Sequence, residues 1–334
     1  MNKKIVLNVE NVYTANAFTV EGKTLIAAGS ETKPSVAIFD MESGRSCDVA
    51  DCPGGVMSFV PVPGNPDVFY SIMGLFPPFV GLEAGVFRHR KTEEGWQTDR
   101  VMHLPFAHRC DILNVDGINY LFAASASKHK DNPLDWTNAG ETYVMTLDKD
   151  GNPSAPELLK DNLWRNHGML KYALDGKETI LISGTEGIFA LDKKEDGWSE
   201  RMIFDHEVSE FGFVDLDKDG NDELVTIEPF HGNTINVYKK EGNEWVLKFT
   251  DSLSFGHGLS CGTFDGEPVF VVGNRRESLT LDMFTVIDLE KGELVRNVLE
   301  EEAGPTQTLV FSFDGKDYIL SANQLKNEVA IYWK

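Results

Sequence analysis

Five times along this chain a run of strand-forming residues stops at a turn ending in Asp-Gly, and a second run follows at once. The first runs are CDILNVDG (110–117), MLKYALDG (169–176), FVDLDKDG (213–220), LSCGTFDG (259–266) and TLVFSFDG (308–315). The runs that follow are YLFAAS, TILISG, ELVTIE, VFVVGN and YILSAN. Asp-Gly between β-branched and aromatic residues is a strong short-range hairpin signal. A unit that recurs every 40 to 50 residues or so predicts the blades of a propeller. Less regular units begin near Ala15 (AFTVEGKTLIAAGS) and Met57 (MSFVPVPGNPDVFYSIMG), which brings the total to seven. Most units continue with a third run and a charged hairpin, and Trp96, Trp198 and Trp245 each stand just after such a hairpin. These rings are expected to cover the outer edges of their units.

The last unit stops after its third run, VAIYWK, while a spare run, KKIVLNV, precedes the first unit. Pairing the two completes a fourth strand and protects an open edge. The expectation is an all-β chain, one domain over 1–334, folded as a seven-bladed β-propeller closed by its N-terminal strand. The net charge of −22 argues against nucleic acid and against an anionic membrane surface, since both would repel it. No apolar run is long enough for a membrane span or a signal-peptide core. Cys47, Cys52, Cys110 and Cys261 form neither a disulfide framework nor a C-x-x-C pattern, so a reduced, cytoplasmic protein is expected. Cys110 and Cys261 read as small buried fillers.

One turn is richer than the others. Asp215, Asp217 and Asp219 alternate before Gly220, and Glu223 follows. Alternating carboxylates ahead of a glycine suit a hard cation such as Ca²⁺, here in a structural role. This turn resembles the FG-GAP or VCBS repeat, whose pattern is D-x-D/N-x-D-G-x-x-D/E. The other turns keep a single Asp before Gly, at Asp116, Asp175, Asp265 and Asp314, and are expected to be structural.

Aligned on the turn, His108, His167 and His257 fall at one repeat position, eight residues before the turn Asp. Phe211 and Thr306 are the equivalents in two further units. In a propeller this position opens the innermost strand, so three imidazoles would converge beside the central channel. Neutral imidazoles suit Zn²⁺, Mn²⁺ or Fe²⁺, and Gln307 or Glu210 could add an oxygen ligand. The loop between the second and third strands of a blade returns to the same face. There stand Glu228 and His231, then Arg275 and Arg276, and in the third blade Lys128, His129, Lys130 and Trp136. This set suggests an anionic or polyhydroxylated ligand, with Trp136 either a sugar-stacking platform or a loop-packing residue.

Seven blades, an FG-GAP-like turn and channel histidines resemble the propeller of fungal aldos-2-ulose dehydratases and, more distantly, oligogalacturonate lyases. That resemblance implies a metal site carried onto His108, His167 and His257, with Gln307 as a fourth ligand. Such a site suits elimination or isomerisation next to a carbonyl, with His231 as first candidate base and His129 as second. Arg275 and Arg276 would hold a carboxylate or hydroxyls, with Trp136, Lys128 and Glu228 as further substrate contacts. The expected activity is that of a metal-dependent lyase, dehydratase or isomerase on a small carbohydrate. Two alternatives stay open: a non-catalytic propeller that binds a glycan or a protein, and a lactonase-type hydrolase.

Overall fold

Four of the five Asp-Gly turns close as two-residue hairpins in the computed structural model, which describes residues 1–20, 22–49 and 52–334, while that of the fifth blade is a longer loop from Val214 to Glu223. Val115 pairs with Ile118, Leu174 with Lys177, Phe264 with Glu267 and Phe313 with Lys316. In these four both central residues take positive φ, as in Asp116 at 53° and Gly117 at 81°. A type I′ turn demands this, and Asp followed by Gly reaches it with little strain.

The described residues form seven antiparallel four-stranded sheets, the blades of a seven-bladed β-propeller. Six blades take their strands in chain order. In the seventh, the N-terminal strand Asn2–Asn8 pairs with Glu328–Trp333, from Asn2 opposite Trp333 to Asn8 opposite Glu328. The pairing expected of the spare N-terminal run is therefore present. Among the described residues the sole helix is one 3₁₀ turn, Gln324–Lys326, and no helix is long and apolar enough to cross a membrane.

By its contacts the chain divides into two compact units, the division falling inside the strand Val12–Val20. The first unit comprises Met1–Ala17 and Val208–Lys334, which carry the fifth, sixth and seventh blades. Its cores lie between neighbouring blades. Val225, Ile227 and Val237 meet Phe270, Val272 and Phe284, and Val271 and Leu281 meet Ile319 and Tyr332. The second unit, Phe18–Glu207, is built alike: Ile38 and Val56 meet Phe59 and Phe69, and Leu113 and Phe122 meet Ile180 and Phe189. Second strands such as Lys177–Gly184 are buried on both faces, hence their unbroken apolar runs. Trp198 packs edge-on against Tyr120 and Phe122 at 5.2 and 5.0 Å, and Trp96 against Phe69 at 5.2 Å. These tryptophans are packing residues, as expected.

Within each unit the first strand of a blade packs on the first strand of the next. These inner strands are Ser58–Val62, Ala107–Val115 and Gly168–Leu174 in the second unit. In the first unit they are Glu210–Val214, Gly256–Phe264 and Pro305–Phe313. The approach is close: a Cβ on Gly258 would stand 2.9 Å from Gln307 Cα. Burial pushes the Cys110 thiol up to about 12, with its sulfur 3.3 Å from Ser58 Oγ, and raises that of Cys261 as well. Such thiols are inert fillers.

Candidate functional site

The inner strands that carry His108 and His257 as their second residues open on a fault in the ladder. Ala107 pairs with Ser125 but Arg109 with Ala124, which leaves His108 in a bulge. Gly256 pairs with Asn274 and Leu259 with Val272, so His257 and Gly258 occupy a second. Thr306 and Gln307 lie in a third, between Pro305 and Thr308. His167 stands one residue before its strand and donates its N–H to Ser183 O at 3.0 Å. A bulge frees a residue from regular pairing and re-aims its side chain. His108, His167 and His257 are each at most 1% exposed.

In the first unit, His257 Nδ1 lies 2.6 Å from Thr306 O. A carbonyl only accepts, so this nitrogen carries the proton, and Nε2 keeps its lone pair. Tyr13 OH donates to that nitrogen at 3.0 Å. The His231 ring lies 5.2 Å from that of His257, 4.8 Å from Phe255 and 4.0 Å from Phe230. His231 is held by a tight loop in which it takes φ 48° and donates its N–H to Ser209 Oγ at 3.1 Å. The next residue must be glycine, because a Cβ on Gly232 would collide with Glu228 O. Arg275 and Arg276 donate their backbone N–H groups to Phe255 O and Ser254 O at 3.1 and 3.3 Å. The Arg276 guanidinium lies 4.3 Å over the Phe255 ring, and that of Arg275 5.2 Å over Tyr13 while bonded to Gln324 Oε1 at 3.1 Å. This unit thus brings His231, His257 and both arginines to one set of rings.

One expected metal ligand, Gln307, and one expected substrate contact, Glu228, are committed elsewhere. Gln307 Oε1 accepts Thr14 Oγ1–H at 2.6 Å and Ala15 N–H at 3.2 Å, which uses both of its lone pairs. It ties the seventh blade to the N-terminal segment and is not poised as a metal ligand. The Glu228 carboxylate accepts Thr226 Oγ1–H at 2.5 Å and Tyr238 O–H at 3.1 Å, so it braces its own blade rather than a substrate.

In the second unit the rings of His108 and His167 lie 4.1 Å apart. Tilted by 33°, these two buried imidazoles pack ring against ring. Lys128 is exposed. His129 is exposed too, with Nε2 3.0 Å from Asp131 Oδ1 of its own loop. Trp136 is no open platform: Lys130 Nζ lies 3.2 Å from its ring centroid and Phe79 meets it edge-on at 5.1 Å.

The acidic turn lies in the first unit, at the far end of its inner strand from His231. Asp215, Asp217 and Glu223 offer oxygens within 4.8 Å of one another. Asp219 stands outside this set and faces the Lys239 ammonium at 2.9 Å and Asn221. Lys239 also pairs with Asp217, which raises the lysine and makes its ammonium the cation of the turn. Glu223 accepts Leu216 N–H at 2.8 Å, while burial and the charges of Asp217 and Asp219 push its carboxyl up to about 7. Nearby, a groove of about 390 Å³ between the fifth and sixth blades is lined by Asp217, Glu267, Ile287 and Glu290.

No protein-family model and no curated protein matches this chain. Solved structures do. The β-propeller domain of Cps50 (Swd1) from Myceliophteria thermophila superposes at TM-score 0.65 and 10% identity, with all of both chains covered. A Bacteroides uniformis protein provisionally assigned as a 6-phosphogluconolactonase matches at TM-score 0.62 and 12% identity, over 90% of this chain and 87% of its own. One from Bacteroides fragilis with the same provisional assignment matches at TM-score 0.62 and 14% identity, over 96% and 93%. These likenesses show the propeller. Catalytic and non-catalytic proteins share that fold, so the chemistry has to be argued from the side chains.

Tyr13 is a partner of His257 that reading the sequence missed. The signal was there: counting nine residues back from Gly22 reaches Tyr13, as counting nine back from Gly266 reaches His257. Tyr13 is thus the first blade's occupant of the histidine position.

Proposed function

We propose that the buried imidazoles opening the inner strands hold a divalent transition metal, Zn²⁺, Mn²⁺ or Fe²⁺. On this reading the protein is a lyase, dehydratase or isomerase acting on a keto-sugar or sugar acid. One observation carries it. His257 donates its Nδ1 proton to a backbone carbonyl, as metal-binding imidazoles usually do, which leaves Nε2 with a lone pair that a metal would take over from the Tyr13 hydroxyl. His108 and His167, two buried rings in contact, would add further imidazole nitrogens. A bound metal would polarise a carbonyl oxygen and stabilise the negative charge that develops on it.

The chain's own residues would supply the rest. His231, half-buried beside His257, takes the proton from the carbon next to the carbonyl. Arg275 and Arg276 bind a carboxylate or hydroxyl groups. Tyr13, released from His257 Nε2 once a metal takes that lone pair, would offer its hydroxyl proton to an oxygen of the ligand. The resemblance to aldos-2-ulose dehydratases and VCBS repeats supports this reading, and the four free cysteines suit a reduced, cytoplasmic setting for it. Ca²⁺ at Asp215, Asp217 and Glu223 would have to replace Lys239 and the Glu223 proton.

Elemental analysis of the purified protein tests the proposal. Bound transition metal is expected, and His167→Ala or His257→Ala should lower both metal and turnover. Metal-free protein whose ligand binding is untouched by either substitution would overturn it. A second reading, hydrolysis of a sugar lactone, draws on the two Bacteroides neighbours with provisional lactonase assignments. It predicts release of acid from a phosphorylated lactone by the native protein, which the lyase reading does not.

A further inference from the structure

The long loop of the third blade holds a lysine in an unusual setting. Lys130 is 7% exposed, although an ammonium is among the last groups to be buried unpaired. Its Nζ donates to the backbone oxygen of Asp135 at 2.5 Å and otherwise meets two aromatic rings, Trp136 at 3.2 Å and Phe79 at 5.1 Å. Among the described residues no carboxylate pairs with it. In a chain with 53 acidic and 31 basic residues, acidic partners are plentiful. Lys3, Lys239 and Lys248 each have them and are raised as a result.

The loop itself is firmly held. Ser127 Oγ bonds to His129 O and Asn138 O at 2.8 and 3.0 Å, and Asp131 N–H donates to Asp135 Oδ2 at 3.0 Å. The charged groups around the amine are Asp135, whose carboxylate is engaged by Asp131 and Thr137, and Arg165, whose guanidinium shares the Trp136 ring at 5.8 Å. Burial, reinforced by Arg165 and opposed by Asp135, pulls the Lys130 ammonium down to about 8. Part of it is therefore free amine near neutral pH, which is the nucleophilic form.

We propose that Lys130 is a carbonyl-reactive amine, which captures a small aldehyde or ketone as an imine between Trp136 and Phe79. The Nζ lone pair bonds to the carbonyl carbon while one N–H proton passes to the oxygen, giving a carbinolamine. Loss of that hydroxyl with the second N–H proton releases water and leaves the C=N bond. No oxidant or reductant is consumed. This site lies in the loops of the second and third blades, and it uses none of the histidines of the proposed metal site.

The test treats the full chain with glycolaldehyde and cyanoborohydride over a range of pH and maps the reduced adducts by mass spectrometry. Lys128, exposed and two residues away, is the internal reference. Near pH 7 Lys130 should be labelled about ten-fold faster than Lys128, because an amine with a lowered pKa holds far more free base there. Its rate should level off above about pH 8. Lys130→Arg should abolish the adduct. Labelling no faster than at Lys128, or a rate still climbing beyond pH 9, would overturn the proposal. Both outcomes are read on the native protein, so neither depends on a variant folding. Loss of metal from the histidines leaves this result unchanged, so the two proposals fail separately.

Discussion

At the scale of single residues the histidines divide by what their nitrogens touch. His89 is fully buried in the second unit, with Nε2 2.8 Å from Ser71 Oγ, Nδ1 3.0 Å from Thr98 Oγ1, and its ring stacked on Phe69 at 4.3 Å. Burial holds it down to about 3, against an ordinary value of 6.5. Between these values the unfolded chain binds a proton that the folded chain refuses, so stability is complete above pH 6.5 and falls as pH drops toward 3. The loss should be on the order of 2–5 kcal/mol. Urea unfolding from pH 7 to pH 4 should show it, with a shallower dependence in His89→Gln. Tyr13→Phe makes a second prediction. It leaves the ring in place but removes the hydroxyl that neighbours His257 Nε2 and would serve as the proton donor once metal is bound. Bound metal should persist while turnover falls by about 10²-fold, the range for loss of a general acid.

At the scale of elements, the close turns decide what can change. Gly232→Ala forces the loop that carries His231 off Glu228 O, a strain of about 1–3 kcal/mol. Activity should fall by more than the melting temperature suggests, since His231 is the residue displaced. The acidic turn titrates in the opposite sense to His89. With its carboxyl raised from 4.5 to about 7, Glu223 binds a proton in the folded chain that the unfolded chain has released. Its contribution is therefore full below pH 4.5 and is lost as pH rises through 7. Lys239→Met removes the resident cation. Calcium should then raise the melting temperature of the variant more than that of the native protein. No calcium-dependent shift in either one would count against a cation site at this turn.

At the scale of the whole molecule, the seventh blade depends on the N-terminal strand. Lys3 reaches Glu328 at 2.6 Å and Glu300 at 3.1 Å, and backbone pairing runs from Asn2 to Asn8. Deleting residues 1–8 should leave Glu328–Trp333 as an unpaired edge. The first unit is then expected to melt earlier than the second, with aggregation that the native chain does not show. Two-probe thermal unfolding with light scattering checks this. The same unit carries Tyr13, so ligand binding should be lost with the strand.

By itself the sequence determined the all-β class, the seven blades, the turns and the closing strand. Each is written in local chemistry: Asp-Gly at positive φ, apolar runs for strands buried on both faces, and an unpartnered run at each end of the chain. It also placed His108, His167 and His257 at equivalent strand openings, because the repeat period is a property of the chain. What the tertiary structure alone decided is which lone pairs and ring faces are free. Gln307 is engaged by Thr14, Glu228 by Tyr238, Trp136 by Lys130, and His257 by Tyr13, 244 residues away. The bulges that take His108 and His257 out of register, and the enclosure of Lys130, likewise appear only once strands and loops have packed. Hydrogen bonds and burial between distant segments leave no periodic trace in the chain, and they settle which of its conspicuous residues can act.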